Sequence, residues 1–208
     1  MHVTHADFSA GRVVDAAQPQ QKIENFIAAR TFDRPTLVLD VDRVQAQYEA
    51  LKSGLGRAAI HYAVKANPER AILERLVALG SHFDAASRGE IALCLQAGAQ
   101  PEAISFGNTV KRAADIAYAH AQGIRLFAAD AADELHKIAE YAPGASVYIR
   151  LLVENSEADW PLSRKFGTAH ARVFSLLALA RDLGLHPVGL SFHVGSQTRA
   201  AWMWAGVL

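Results

Sequence analysis

The feature that most constrains this chain is a period rather than a motif. From residue 59 onward, short apolar, β-branched or aromatic runs recur. They are "AIHYAVKA" (59–66), "SHFDAA" (81–86), "AISFGN" (103–108), "IRLFAAD" (124–130), "ASVYIRLLV" (145–153) and "PVGLSFHV" (187–194). Segments of helical period lie between them. In "PERAILERLVALG", Ile72, Leu73, Leu76, Val77 and Leu79 make one apolar stripe, Pro68 suits a first helical turn and Gly80 a C-terminal cap. "RGEIALCLQAG", "RAADIAYAHAQG" and "ARVFSLLALARDLG" close the same way on Gly98, Gly123 and Gly184. In the last of these, Val173, Leu176, Leu177 and Ala180 share a face. Near-continuous apolar strands alternating with amphipathic helices predict parallel β/α units.

Six such strands are present. The first five begin near residues 59, 81, 103, 124 and 145, a spacing that suits minimal β/α units. The sixth begins near 187, after the long polar stretch "ENSEADWPLSRKFGTAH"; connections of that length are usually functional or disordered. A closed barrel of this kind has eight strands, whereas an open doubly wound sheet needs no more than six. Periodicity leaves both architectures open. Ahead of the repeat, residues 1–20 hold few large apolar groups, and "TLVLDVDRVQAQYEALKSGL" (36–55) reads as a short strand and then an amphipathic helix.

Composition removes several function classes. The 208 residues are 51% hydrophobic and 20% charged, an ordinary globular balance. Lys+Arg and Asp+Glu are equal at 21 each, so there is no basic footprint for nucleic acid. No apolar run approaches the roughly 18–20 residues of a membrane span, and the start lacks a signal-peptide layout. A lone cysteine, Cys94, excludes an internal disulfide, fits a cytoplasmic location and is expected in the core. His61, His82, His120, His136, His170 and His186 lack metal-ligand spacing, so no metal is expected.

Parallel β/α folds gather reactive groups at the C-terminal ends of their strands. Here those positions hold Lys65, Asp84, Asn108, Asp130, Arg150 and His193. One polar residue at a strand end is unremarkable because solvent begins there. A lysine, carboxylates, an arginine and a histidine together point to chemistry. An ε-amine in a partly dry pocket can form an imine with a carbonyl. Pyridoxal phosphate presents such an aldehyde, and its ring is an electron sink. His193 could stack on a flat ring, and Gly195 and Ser196 of "HVGSQ" allow close approach by a phosphate.

"YAVKAN", "FDAASRGEI", "WPLSRKFG" and "SFHVGSQ" occur in an order and spacing that resemble the alanine-racemase-like, fold type III pyridoxal-phosphate enzymes. The resemblance is to the ornithine/lysine/diaminopimelate decarboxylase branch and covers about residues 30 to 199. "FDAAS", "ISFGNTVK", "WPLSRKFG" and Phe192 look more like ornithine decarboxylase. It implies a pyridoxal 5'-phosphate-binding (β/α)8 barrel, here incomplete at about six units and without the family's C-terminal β-domain. Residues 1–30 would be a partly mobile N-terminal segment, 31–198 the barrel domain and 199–208 an atypical tail. Lys65 would carry the cofactor covalently, His193 would stack on its ring, and Ser196 would help bind its phosphate. Asp84 and Arg150 would form the polar network beside it. The implied reaction is decarboxylation of a basic amino acid, L-ornithine to putrescine, in a cytoplasmic homodimer. Lys165 and Arg164 would help order the dimer contact and site entrance.

The pattern stops after Arg199, and "AAWMWAGVL" follows. The family's glycine-rich phosphate loop and the acidic partner of the ring nitrogen are not found. The sequence therefore reads as the first half of a decarboxylase subunit, a truncated or frame-shifted form. Open strand edges in an incomplete barrel are expected to leave it poorly stable and inactive. The alternatives are lysine or diaminopimelate decarboxylation, or a non-catalytic binding protein like the antizyme inhibitors. Retention of Lys65, His193 and Ser196 speaks against the last.

Overall fold

A computed structural model describes residues 17–153, 165–196 and 202–205. Six strands form one parallel sheet: β1 (His61–Ala63), β2 (His82–Ala85), β3 (Ile104–Phe106), β4 (Leu126–Ala129), β5 (Ser146–Arg150) and β6 (His186–Ser191). Their spatial order is β1-β2-β3-β4-β5-β6, each strand parallel to the next. A doubly wound sheet reverses its order at a switch point. This one never does, and strictly sequential order is that of a β/α barrel wall. The fold is α/β, six parallel strands alternating with helices.

The connecting helices are α3 (Arg70–Ala78), α4 (Arg88–Gln96), α5 (Ala113–Ala121), α6 (Ala132–Tyr141) and α7 (His170–Asp182). They follow α1 (Ala17–Ala28) and α2 (Val41–Leu55), and α8 (Trp202–Ala205) comes last. The predicted glycine closures hold: Gly80, Gly98, Gly123 and Gly184 all have positive φ, the conformation that ends a helix without steric cost. Helix α4 starts on a capping box. Ser87 Oγ accepts from the Glu90 amide at 3.2 Å, and a Glu90 carboxylate oxygen accepts from the Ala86 amide at 2.7 Å.

Three details depart from the sequence reading. Residues 36–40 join no strand among the described residues; Asp40 instead caps α2. Pro68 precedes the N-cap Glu69 rather than entering α3, because the Asn67 side chain accepts from the Glu69 amide at 3.0 Å and makes a turn there. Helix α6 escapes the periodicity, since its buried apolar residues are only Leu135 and Ile138. Helix α1 lies within the segment expected to be partly mobile. Helix α4 begins at Arg88, the first residue of "RGEIALCLQAG".

Strand alternation sorts the sheet into two faces, because residues paired in a parallel register point the same way. Phe83, Ala85, Ile104, Phe106, Phe127, Val147 and Ile149 share the outer face and are all buried. They pack with Ile72, Leu73, Leu76, Ile91, Ile116, Leu135, Ile138 and Leu176 of the helices. Cys94 is in this core as expected, and burial pushes its thiol up to about 12. The inner face carries His61, His82, Asp84, Ser105, Tyr148 and Arg150. The β5–β6 register slips between Val147 and Tyr148, so Val188 is an extra residue that re-aims the end of β6. At that side Phe174, Val188 and Leu190 are exposed. Among the described residues, no helix is long and apolar enough to cross a membrane.

Candidate active site

A cavity of about 210 Å³ opens at the C-terminal ends of the strands. Lys65, Asp84, Asn108, Arg150 and His193 all line it, with Gly107, Tyr148, Phe166, Ser191 and Phe192 completing most of the wall. Five of the six predicted strand-end residues are thus brought together. The sixth, Asp130, sits behind the wall: its Oδ2 accepts from the Gly167 amide at 2.8 Å. A Cβ at Gly167 would overlap the Leu151 backbone, so only glycine lets the long connection return this close to β5. That return delivers Phe166 to the cavity, 5.3 Å from the Arg150 guanidinium carbon and 5.1 Å from Lys165 Nζ. Ser196 is half-buried and does not line the cavity. Arg164 lies outside the described residues.

Each site residue has a local cause. β1 ends at Ala63, and a 3-10 turn over Val64–Ala66 follows, with Val64 buried and Lys65 exposed at the rim. Asp84 is interior to β2. Its neighbours Phe83 and Ala85 face the helices, so alternation turns the carboxylate inward. The carboxylate rests against Gly107, where a Cβ would overlap its oxygens. Ser105 Oγ is 3.4 Å from Asp84 Oδ1 and 3.3 Å from the Phe83 carbonyl oxygen, either of which can accept its single proton.

The electrostatics follow from burial and these neighbours. Burial raises the Asp84 carboxyl above its ordinary value; Lys65 and the Ser105 hydroxyl pull it back, Glu90 pushes it up, and Arg150 lowers it. Burial raises the Tyr148 phenol, with the Asp84 charge adding to it. Burial, then Arg150 and Lys65, lower the His193 imidazole. The Gly195 amide donates to His193 Nδ1 at 2.9 Å. That nitrogen is therefore an acceptor, which assigns the proton of a neutral ring to Nε2. The cavity joins a primary amine, a guanidinium and a neutral imidazole with one half-buried carboxylate. Such a set suits a flat, anionic, carbonyl-bearing molecule.

Residues 41–205 match the family described as pyridoxal-dependent decarboxylase, pyridoxal binding domain, and the chain belongs to that family. It is 39% identical over 170 residues to a lysine/ornithine decarboxylase of Selenomonas ruminantium, a match covering 82% of this chain and 43% of the relative. It is 41% identical over 159 residues to an ornithine decarboxylase of Neurospora crassa, covering 76% of this chain and 33% of that protein. A solved structure of SrLDC in complex with PLP and cadaverine superposes with a TM-score of 0.81 at 36% identity, covering 90% of this chain and 47% of that one. The chain spans less than half the length of these three proteins. Its fold corresponds to the N-terminal barrel portion of decarboxylases that act on basic amino acids.

Tyr148 and Phe166 are the aromatic site residues that sequence reasoning missed. Tyr148 had a signal: it stands two residues before Arg150 on a strand, hence on the same face. Phe166 had none, because its place depends on the Asp130–Gly167 contact across 37 positions.

Proposed function

We propose that this chain forms the cofactor-bearing half of a decarboxylase that converts L-ornithine to putrescine and CO2 with pyridoxal 5'-phosphate. The observation that carries the reading is the convergence of Lys65, Asp84, Arg150 and His193 on one cavity at the strand ends. Lysine is the second substrate, favoured by the 39% identity to a lysine/ornithine decarboxylase. When bound, the cofactor supplies an electron sink for the carbanion left by departing CO2. Lys65 offers the amine that holds its aldehyde carbon. His193, neutral and with Nδ1 occupied by the Gly195 amide, offers a flat, uncharged face for the ring. Arg150 supplies positive charge beside Asp84, whose carboxyl burial raises above its ordinary value. Ser196, outside the cavity lining, would help bind the phosphate. The working form is a cytoplasmic homodimer, with Lys165 at the entrance.

Borohydride reduction of the purified chain with pyridoxal phosphate, followed by peptide mapping, tests the assignment. The label is expected on Lys65, and Lys65→Ala is expected to lose both the label and the bound-cofactor absorbance. A label on another lysine, or an undiminished absorbance in Lys65→Ala, would sink it. Competition for the label by ornithine, lysine and arginine ranks the substrates without depending on turnover. A chain that takes up no cofactor would favour a binding role instead.

A further inference from the structure

Lys111 is the buried cation, among the described residues, that the site above leaves unused. Its ammonium is fully buried, with three acceptors in reach: the Asn108 carbonyl at 2.9 Å, the Ala128 carbonyl at 2.6 Å and Glu134 Oε1 at 2.8 Å. Glu134 is itself buried, and its other oxygen is 2.6 Å from Lys137 Nζ. Placement of an ammonium away from water is costly unless every proton is used. Here two protons go to the carbonyls, and the Glu134 carboxylate 2.8 Å away provides the opposing charge.

Two of those acceptors belong to the site wall. β3 pairs with β4 only as far as Phe106–Phe127. The next β4 carbonyl, Ala128, takes its hydrogen bond from Lys111. The same ammonium holds the Asn108 carbonyl in the turn that leaves β3. Gly107, one residue earlier, is the surface against which the Asp84 carboxylate rests, and Asn108 lines the cavity. An apolar pair of similar volume could replace the Lys111–Glu134 charges, but it would leave the Asn108 and Ala128 carbonyls without their donor. No apolar pair could hold two carbonyls of different strands at a fixed separation.

We infer that Lys111 is a positioning residue of the candidate site: it ties the Gly107–Asn108 turn to β4 and so fixes the wall that seats Asp84. The inference rests on the reading of this cavity as the cofactor site.

The test uses the whole chain and three variants, K111M/E134L, K111M and K111Q. In K111M/E134L the melting temperature is expected to fall, because the Asn108 and Ala128 carbonyls lose their donor, so binding is read at a temperature at which the variant is folded. The Gly107 amide should exchange with solvent at least about ten-fold faster in the cofactor-free protein. The pyridoxal phosphate dissociation constant, from an absorbance titration, should rise about ten-fold, the scale of losing charged hydrogen bonds. An unchanged dissociation constant in folded K111M/E134L overturns the inference. Where that variant does not fold, K111Q and K111M decide at a temperature at which both are folded. Glutamine still donates to the two carbonyls and methionine does not, so tighter cofactor binding by K111Q supports the inference and equal binding overturns it. Unaltered chain that takes up no pyridoxal phosphate overturns the site reading and this inference with it; that failure is told apart because no Lys111 variant is involved.

Discussion

The two faces of the six-stranded sheet differ in every physical respect. The outer face is aromatic and aliphatic: Phe83, Phe106, Phe127, Val147 and Ile149 are all closed off from solvent by the helices. The inner face, one residue out of phase on the same strands, carries His61, His82, Asp84, Ser105, Tyr148 and Arg150. Barrels of this class usually fill their interior with branched aliphatic residues. Here the interior leading to the strand ends is polar, and its burial lowers the His61 imidazole and raises the Asp84 carboxyl and the Tyr148 phenol. One face therefore supplies the core and the other lines the candidate site, and the alternation of a β-strand keeps the two separate.

That division can be broken from either side. The largest effect is expected on the outer face. Phe127→Ala deletes a fully buried ring that meets Phe106 at 6.2 Å. It should cost about 3–5 kcal/mol in urea unfolding, through lost transfer energy and the cavity left behind. Any loss of cofactor binding should be recovered wherever the variant is still folded.

Gly107→Ala tests the boundary between the faces. The added methyl meets the far end of the Asp84 side chain rather than backbone. The carboxylate can swing away, so stability should change by no more than about 1 kcal/mol. Cofactor affinity should nevertheless fall about ten-fold, because the displaced group belongs to the site. Equal losses in both measurements would erase the distinction between the faces.

Asp84→Asn gives the smallest effect, with the opposite sign. The carboxyl is raised in the folded state, mainly by burial, from an ordinary value of 3.8. Such a group contributes stability below pH 3.8 and loses it as pH rises through the folded-state value. Asp84→Asn should therefore be modestly more stable than the unaltered chain at neutral pH. The advantage should vanish as pH falls toward 3.8. Denaturant midpoints at several pH values check this, and a variant less stable at neutral pH would show that the paired charges of Lys65 and Arg150 outweigh burial.

A second contrast, between the sheet's centre and its β6 side, marks how far the fold was legible. Strands β2 to β5 were readable because each is a short run rich in apolar and aromatic residues, and glycine closes the helices that follow β2, β3 and β5. β6 was readable as a strand from "PVGLSF", yet its outer residue Leu190 and the bulge residue Val188 remain exposed. Helix α6 was missed because its stripe is short, and the run at 36–40 was over-read because a β-like composition does not supply a partner strand.

Local chemistry alone settled the β/α period, the helix ends at Gly80, Gly98, Gly123 and Gly184, and the delivery of Lys65 to a strand end. Those depend on residues a few positions apart, which any chain segment feels before it meets another. Contacts between distant segments settled the rest. Sequential strand order excluded the doubly wound sheet. Strand register brought Tyr148 to the cavity that Asp84 lines, the Asp130–Gly167 bond brought Phe166 there too, and packing buried Lys111 against two carbonyls. Register and burial are properties of pairs of strands and of the closed core, and no window along one strand contains them.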